Sequence, residues 1–382
     1  MQRIIVMLFW VVSLFGSSEI YSATGSECQV RQCLGIVDAG STGSRLHIYS
    51  YDMDKHNSPI NVQEVWSKRV APGFASLEIS QDKINEYLSS LFADATEQNI
   101  PVYFYATAGM RLHSQPKQEQ YYAFLKKWFS TKPQWKLQDA KTITGKEEGV
   151  YGWLAVNYRV GTLDQDKIET VGVLDMGGAS VQVSFPIDKP ANYPSSDVAE
   201  IDIYGRHLSI YVHSFLGLGQ TLLSQQFLDE KSCFSDAYQL PSGGAGDGDA
   251  QMCERDVSKL INLVHEVSQV VKPALTANPN ANWYAMGGLT TLVDSEPFHF
   301  ENRQFTSENL LNQADSEVCH KSWQDLNSHY QNNEYIFQYC LLPAYYYALV
   351  VDGYGLQPST TLNYLYNPKN TDWTLGVVLH QQ

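Results

Sequence analysis

The fold is decided by the stretch Leu34-Gly-Ile-Val-Asp38-Ala-Gly40-Ser41-Thr42-Gly43-Ser44-Arg45-Leu-His-Ile-Tyr-Ser. An apolar run with strand character ends at Asp38, turns through Gly40 and Gly43, and continues as a second run with strand character. This pattern predicts a β-hairpin whose tip offers backbone N–H groups and hydroxyls to an anion, because glycine lets a backbone approach its ligand closely. One such hairpin is a weak indication, since many Gly/Ser hairpins share this composition.

The same pattern occurs again 137 residues later in the chain. It reads Val171-Gly-Val-Leu-Asp175-Met-Gly177-Gly178-Ala179-Ser180-Val-Gln182-Val-Ser-Phe, again a strand, an aspartate, a Gly/Ser turn and a second strand. Two such hairpins that face each other across a cleft would hold a polyphosphate between them. Asp38 and Asp175 would then be available to a divalent metal. This duplication is the strongest signal in the sequence.

Composition and charge narrow the class of substrate. The chain has 382 residues, which suits two domains, and it carries a net charge of −15 without a run of Lys or Arg. Nucleic acid is therefore not expected as a partner. A polyanionic substrate would have to be small and held by local donors or by a metal.

Residues 1–23 have the pattern of a secretory signal peptide. Arg3 precedes an apolar run from Ile4 to Phe15, and Tyr21-Ser22-Ala23 offers a small-residue cleavage site, so we expect cleavage near Ala23. The apolar run is too short to span a bilayer. We predict a mature protein without a membrane anchor, secreted to a periplasmic or extracellular location, and we expect residues 376–382 to form a short strand.

Six cysteines form an even set in a chain expected to be exported, which predicts disulfides. Fifteen pairings are possible. The cysteines fall into couples that are close in sequence, and we expect Cys28–Cys33, Cys233–Cys253 and Cys319–Cys340. A zinc site is the alternative, but the chain lacks CxxC spacing and an oxidising compartment disfavours it.

Other segments alternate between strand and helix patterns. Strands are expected at Val62 to Arg69, Pro101 to Ala106 and from Trp283, and helices at Asp82 to Glu97, Tyr121 to Ser130, Gly217 to Leu228 and Asp256 to Ala277. The strand at Pro101 to Ala106 leads to Arg111, which would either bind phosphate or pair with a local carboxylate. Ser242 to Asp249 is interpreted as a flexible loop, with a Ca²⁺ site as the alternative.

A helix is also predicted near Gly145 to Tyr158, with Glu147 and Glu148 in its first turn. Neighbouring residues of a helix point in different directions, so only one of these glutamates can face a cleft. A Glu-Glu pair alone is typical of a solvated turn. Its position between the two hairpins favours a functional role.

Several of these segments, in this order, resemble the conserved regions of apyrases, the nucleoside triphosphate diphosphohydrolases. The segments are Asp38 to Arg45, Tyr105 to Arg111, Gly145 to Trp153, Leu174 to Gln182 and Asp372-Trp373. The similarity covers most of the mature chain. The lack of anchors is similar to the soluble bacterial branch, which some intracellular pathogens secrete, and this implies a role in virulence.

The resemblance implies an α/β fold of the actin, chaperone-ATPase and sugar-kinase superfamily. Its two ribonuclease-H-like lobes would enclose an active-site cleft between them. The first lobe would comprise residues 34–159 and 366–382, and the second residues 160–365.

The resemblance also implies roles for individual residues. Glu148 would be the general base, Ser180 and Gln182 would position the attacking water, and Asp38 and Asp175 would hold a hydrated Ca²⁺ or Mg²⁺, with Mn²⁺ as a further option. Asn157 would line the cleft and Trp373 would cover the phosphate tail. Phosphate would be bound by Gly40, Ser41, Thr42, Gly43, Arg111, Gly177, Gly178 and Ala179.

One departure from the family concerns the first turn. Animal members commonly have Ser-His where this chain has Thr42-Gly43, so the preference between triphosphates and diphosphates stays open. Base recognition requires a flat surface. Asn302 and Tyr346 are the candidates, although core packing is the favoured interpretation of the tyrosine.

The function expected from these features is metal-dependent hydrolysis of the terminal phosphate of nucleoside tri- and diphosphates by a monomer. Two alternatives remain. An exopolyphosphatase of the same superfamily would have a basic channel and usually a cytoplasmic location, and this sequence predicts neither. A nucleotide sensor or adhesin would bind without turnover and would lack Glu148, Ser180 and Gln182.

Overall fold

The computed structural model describes residues 27–95, 99–164, 169–278, 282–365 and 371–380. The expected signal peptide, residues 1–23, lies outside these ranges. Within them, no helix combines the length and the apolar character that crossing a membrane requires.

The strands form two sheets. Those of the first are β1 (Gln32–Ala39), β2 (Ser44–Met53), β3 (Pro59–Val70), β4 (Ile100–Ala106) and β5 (Trp135–Thr142). Those of the second are β6 (Gly172–Met176), β7 (Ser180–Pro186), β8 (Val198–Ile203), β9 (Arg206–Leu216), β10 (Trp283–Gly287), β11 (Gln304–Thr306) and β12 (Thr361–Tyr364).

The two sheets repeat one topology. The first has the order β3-β2-β1-β4-β5, and the second contains the equivalent series β9-β7-β6-β10-β12, with β8 and β11 added at its edges. In each sheet a central strand pairs antiparallel with the next strand of its hairpin and parallel with a later strand. The sequence duplication is therefore a duplication of structure, and the expected two-lobed α/β fold is confirmed.

The helices connect and cover these sheets. They are α1 (Glu27–Val30), α2 (Gln81–Leu91), α3 (Ala108–Arg111), α4 (Gln115–Ser130), α5 (Gly145–Arg159), α6 (Gln220–Gln226), α7 (Ala250–Lys259), α8 (Val267–Thr276), α9 (Gly288–Val293), α10 (Ser307–Ala314), α11 (Trp323–His329), α12 (Leu341–Tyr347) and α13 (Trp373–His380). Short 3₁₀ segments cover Phe74–Ser76, Pro190–Asn192, Ser195–Asp197, Lys231–Cys233, Glu301–Arg303 and Ile336–Gln338, and π-type turns cover Leu260–Val264, Asp315–Cys319 and Ala348–Gly353.

Helices α5 and α13 form the layer that joins the lobes. Helix α13 packs on α5 and on β1 and β2, while α5 also contacts β7 and β9. Their apolar residues share one hydrophobic cluster with residues of both sheets. The first turn of α5 thereby lies between the two hairpins.

The prediction of a strand at residues 376–382 is wrong, because α13 extends to His380. The run from Thr374 to Leu379 is buried on all sides. A Cβ atom at Gly376 would collide with the carbonyl of Tyr151 on α5. Close helix–helix packing therefore outweighs the strand preference of Val377 and Val378.

The helix expected over residues 256–277 is interrupted. Helix α7 passes into the π-type turn at Leu260–Val264, and Glu266 adopts a left-handed conformation (φ 53°) before α8 begins. The side chain of Asn262 accepts a hydrogen bond from the backbone N–H of Ser268 (3.1 Å), which satisfies one of the N–H groups in the first turn of α8. At the other end, α7 begins after Asp249, whose carboxylate accepts from the N–H of Met252.

Two other helices keep their place but change their bounds. Helix α2 ends at Leu91, before the expected Glu97, and α4 begins at Gln115, before the expected Tyr121. A proline in the first turn of α4 suits a helix start, because its missing N–H would have no partner there.

All three expected disulfides are present, linking Cys28 to Cys33, Cys233 to Cys253 and Cys319 to Cys340. The Cα atoms of each pair lie 4.9 to 5.4 Å apart. The short-range pairing scheme is therefore confirmed, and none of the described cysteines is left for a zinc site.

Candidate active site

A cavity of about 260 Å³ lies between the two Asp-Gly hairpins. Both lobes and the start of α13 contribute to its wall. The lining residues are Asp38, Gly40, Ser41, Thr42, Gly43, Ser44, Arg45, Arg69, Thr107, Ala108, Glu148, Asp175, Gly177, Gly178, Ala179, Ser180, Met286, Gly287, Thr371, Asp372 and Trp373.

The hairpin tips approach each other at one side of this cavity. A Cβ atom on Gly178 would lie only 2.6 Å from Ser41 Oγ, so glycine at this position favours the close approach of the tips. The carbonyls of Gly177 and Gly178 are bonded by N–H groups at the start of α6. Among the described residues, no acceptor is bonded to the backbone N–H groups of Ser41, Thr42, Gly178 or Ala179. These donors are available to an anion.

Glu148 is the buried carboxylate of this site, with 7% of its surface exposed. Its Oε2 accepts hydrogen bonds from Arg111 Nη2 (2.6 Å) and Gln182 Nε2 (3.2 Å). The carboxylate also interacts with the hydroxyl of Ser180. It is therefore held in place at the cavity wall.

The neighbouring Glu147 points away from the cavity. It closes a capping box with Thr144, accepting from the Thr144 backbone N–H (2.7 Å), and it also pairs with Lys141 (2.9 Å). The expectation that only one of the two glutamates faces the cleft is met, and that residue is Glu148.

Burial raises the pKa of Glu148 above the ordinary range of a glutamate. The charge of Arg111 and the hydrogen bonds from Arg111 and Ser180 oppose this rise. The environment thus produces a carboxylate that is a better proton acceptor than a free glutamate.

Ser180 and Gln182 complete a hydrogen-bonded group around Glu148. The hydroxyl of Ser180 accepts from Arg111 Nη2 (2.8 Å) and from Gln182 Nε2 (2.8 Å). Gln182 Nε2 also lies 2.9 Å from Ser214 Oγ. An amide nitrogen has two hydrogens, so it cannot donate a separate hydrogen bond to each of Glu148, Ser180 and Ser214.

Asp38 and Asp175 occupy equivalent positions at the ends of the two central strands. Burial, followed by the charge of Asp372, raises the pKa of Asp38 to about 7. Burial, followed by the charge of Glu148, raises the pKa of Asp175 well above its usual range. The Oδ1 atom of Asp38 is buried and has no hydrogen-bond partner. The charges of His47 and Arg45 offset the rise at Asp38 only in part.

This donor set fits a hydrated divalent cation. The described residues contain no cluster of three His, Cys, Asp or Glu side chains that could coordinate an ion directly. Small hard cations such as Mg²⁺ keep several of their waters, which carboxylates such as Asp38 and Asp175 can bind.

The structure places some expected site residues elsewhere. Arg111 does not line the cavity, because its guanidinium is bound to Glu148, which is the second of the two interpretations considered. Asn157 is fully buried and does not line the cleft; its amide bonds the backbone of Trp153 and Val171. Tyr346 is 1% exposed, lies in the core of the second lobe and donates to Gln220 (2.6 Å). Core packing is therefore the correct interpretation of this tyrosine.

Asn302 also lies outside the cavity wall, whereas Trp373 is part of it. Asn302 is exposed in the 3₁₀ segment Glu301–Arg303, with a left-handed backbone (φ 55°). Neither expected base-binding residue contacts the cavity.

Asp372 is a cavity residue that sequence reasoning did not assign, although it belongs to the quoted Asp372-Trp373 segment. Its Oδ2 lies 3.0 Å from His47 Nε2, and its Oδ1 accepts from the backbone N–H of Thr374 (2.9 Å). His47 Nδ1 lies 2.9 Å from Glu64 on the far side. Burial alone opposes protonation, but Asp372 and Glu64 raise the pKa of His47 to about 10.

The buried imidazolium in turn affects Asp372. Burial raises the pKa of this carboxyl, yet His47 and the bonds from Thr374 outweigh burial and lower it to about 2. A carboxylate at the cavity is thereby kept ionised. The only signal in the sequence was the Asp372-Trp373 pair itself.

Comparison with known proteins places the chain among nucleotide phosphatases. The model of the GDA1/CD39 (nucleoside phosphatase) family matches residues 29–382. Ectonucleoside triphosphate diphosphohydrolase 1 of Mus musculus is 28% identical, with 90% of this chain and 80% of that protein covered. Probable apyrase 5 of Arabidopsis thaliana is 24% identical, with 84% and 75% covered.

Solved structures share the fold. Nucleoside triphosphate hydrolases from Neospora caninum superpose with a TM-score of 0.63 at 14% identity, covering 91% of this chain and 92% of that one. An Aquifex aeolicus member of the Ppx/GppA family superposes with a TM-score of 0.55 at 16% identity, covering 91% and 96%.

Proposed function

Because the chain belongs to the GDA1/CD39 (nucleoside phosphatase) family, we propose that it hydrolyses the terminal phosphate of nucleoside tri- and diphosphates by in-line attack of a water activated by Glu148. The chain is an enzyme of the apyrase type, and this proposal concerns its substrates and its catalytic group. One observation carries it. Glu148 Oε2 is anchored by Arg111 and Gln182, which holds the carboxylate at the cavity wall, where it would accept a proton from water.

The substrate would enter with its terminal phosphate between the hairpin tips. The free N–H groups of Ser41, Thr42, Gly178 and Ala179 would bind phosphoryl oxygens, and such preorganised donors stabilise the charge of the transition state. Ser180, held beside Glu148 by Arg111, would help to orient the attacking water. No covalent intermediate is needed.

Asp38 and Asp175 would hold a divalent cation, Ca²⁺ or Mg²⁺, through water molecules. Their buried carboxylates and the partnerless Oδ1 of Asp38 support this assignment. A bound cation would neutralise part of the charge on the phosphoryl oxygens, which a protein of net charge −15 otherwise repels.

We further propose that the enzyme belongs to the soluble bacterial branch and acts outside the cytoplasm as a monomer. The signal-like residues 1–23 and three disulfides support export, since disulfides persist in oxidising compartments. One chain supplies the entire wall of the cavity, so the site needs no second copy.

The test is a phosphate-release assay on ATP, ADP, AMP and long-chain polyphosphate with Mg²⁺ or Ca²⁺. We expect release from ATP and ADP, and none from AMP. Release from polyphosphate alone would contradict the proposal and would indicate an exopolyphosphatase. The chain shares its fold with an enzyme of that type. Nucleotide binding without release from any compound would indicate a sensor.

A further inference from the structure

Two arginines line the cavity without a carboxylate partner. Arg45 and Arg69 face each other in the register of β2 and β3, and neither forms a salt bridge with a described residue. The third nearby arginine, Arg111, is bound to Glu148. Among the described residues that line this cavity with Asp38, Asp175 and Asp372, Arg45 and Arg69 supply the guanidinium groups, and the charge of Arg45 also acts on Asp38.

Arg69 lies on the tip of the first hairpin. Its Nη2 is 3.3 Å from the carbonyl oxygen of Thr42. A Cβ atom at Gly43 would come within 2.7 Å of Nη2 and 2.8 Å of Cζ. The same Cβ atom would lie 2.9 Å from the carbonyl oxygen of Val70, so any other residue at position 43 would crowd both the guanidinium and the backbone of β3. The absence of a side chain at Gly43 leaves space for Arg69 beside the phosphate-binding backbone.

The position of Arg69 separates it from the reacting group. Glu148 is buried, whereas Arg69 is exposed at the rim of the same cavity. The cavity wall also includes residues of the second lobe such as Gly177 and Met286. The part of a linear polyphosphate that extends from Glu148 toward solvent would pass this exposed side of the cavity.

We propose that Arg69 is a specificity-determining residue that binds a phosphate of the substrate other than the one being removed. The inference rests on the proposed function for the direction of the substrate. Guanidinium groups bind phosphate oxygens in a two-pronged geometry, and Arg69 has no carboxylate that competes for its donors. The residue would favour substrates with a charged chain beyond the reacting phosphate, and it would contribute to binding rather than to the chemical step.

The experiment compares Arg69→Ala with Lys68→Ala, using steady-state hydrolysis of ATP. Lys68 is the next residue, does not line the cavity and is paired with Asp94 (2.9 Å), so its variant makes the same charge change outside the site. For Arg69→Ala we expect KM to rise about 10- to 100-fold, as the loss of a charged hydrogen bond requires, with kcat within about threefold of wild type. Arg69→Lys should restore part of the affinity. The effect should shrink at high salt because the site is open to solvent.

An unchanged KM in Arg69→Ala, or an equal rise in Lys68→Ala, would overturn the inference. A fall in kcat with KM unchanged would also overturn it, because Arg69 would then act on the reacting phosphate. If the wild-type protein releases no phosphate, the proposed function fails, and calorimetry with Mg²⁺ and tripolyphosphate decides the role of Arg69. Weaker binding by Arg69→Ala than by Lys68→Ala would support that role, and equal binding or no binding would reject it.

Discussion

Replacement of Glu148 by glutamine tests the proposed mechanism most directly. The amide keeps the shape of the side chain, and its oxygen can still accept from Arg111 Nη2, which now lies 2.6 Å from Oε2. The NH₂ group would take the place of Oε1 and can donate a hydrogen bond to water but cannot accept its proton. The variant therefore loses the base while it keeps the anchor.

The expected loss in kcat is about 10²- to 10⁴-fold, the usual contribution of general-base catalysis, or roughly 3–5 kcal/mol. Substrate affinity should stay level or increase. Arg111 loses a carboxylate partner in Glu148→Gln, so the site becomes more positive toward phosphate. The assay combines single-turnover hydrolysis of ATP with calorimetric binding of a non-hydrolysable analogue.

The pH dependence provides a second readout of the same residue. Burial raises the pKa of Glu148, and a base is active only when it is ionised. The wild-type rate should therefore fall as pH drops through a value above the ordinary ~4.3 of a glutamate. Glu148→Gln should not show this acid limb.

Glu147→Gln is the matched control, because the same change is made one residue earlier on the same helix. Glu147 bonds Thr144 and Lys141 and has no contact with the cavity, so turnover should stay within a few-fold of wild type. Weakening the capping box should lower stability by about 0.5–2 kcal/mol. If Glu147→Gln is inactive and Glu148→Gln is active, the base is misassigned, and if both are active, α5 does not supply the base.

Two further predictions concern the metal and the buried histidine. Excess chelator should abolish phosphate release, because the charge of the substrate would lose its counter-ion. For the same reason, Asp175→Ala should lower kcat/KM by on the order of 10²-fold or more. Full activity in chelator would contradict the metal assignment. His47→Gln should lower the free energy of unfolding by about 3–5 kcal/mol near pH 6, since it leaves the carboxylates of Glu64 and Asp372 without their shared cation. The folded pKa of His47, about 10, exceeds the unfolded value of ~6.5, so this stabilisation is fully present below pH ~6.5 and is lost as pH rises toward 10. Urea unfolding of the wild type and of His47→Gln at pH 6 and pH 10 measures the difference in their free energies of unfolding. An equal difference at the two pH values would refute the prediction.

Local sequence determined most of the secondary structure and the disulfides of this protein. The two Asp-Gly hairpins, the strands that follow them, the start of α5 and the three disulfides were all predictable, because each depends on neighbours that are close in the chain. Alternation of apolar residues marks a strand, and Gly with Ser marks a tight turn. The repeated hairpin also predicted the duplicated fold, because two copies of one motif require two similar sheets to carry them.

Contacts between distant segments decided the rest. Arg111 and Ser180 are 69 positions apart, and only the packing of α5 between the lobes brings both to Glu148. The same packing converted the C-terminal run into α13, buried Asn157 and placed Asp372 beside His47 at the cavity wall. The packing of α12 against α7 and α10 buries Tyr346 in the core of the second lobe. The type of a single residue does not predict its long-range partners, because burial and charge pairing arise only when the chain is folded.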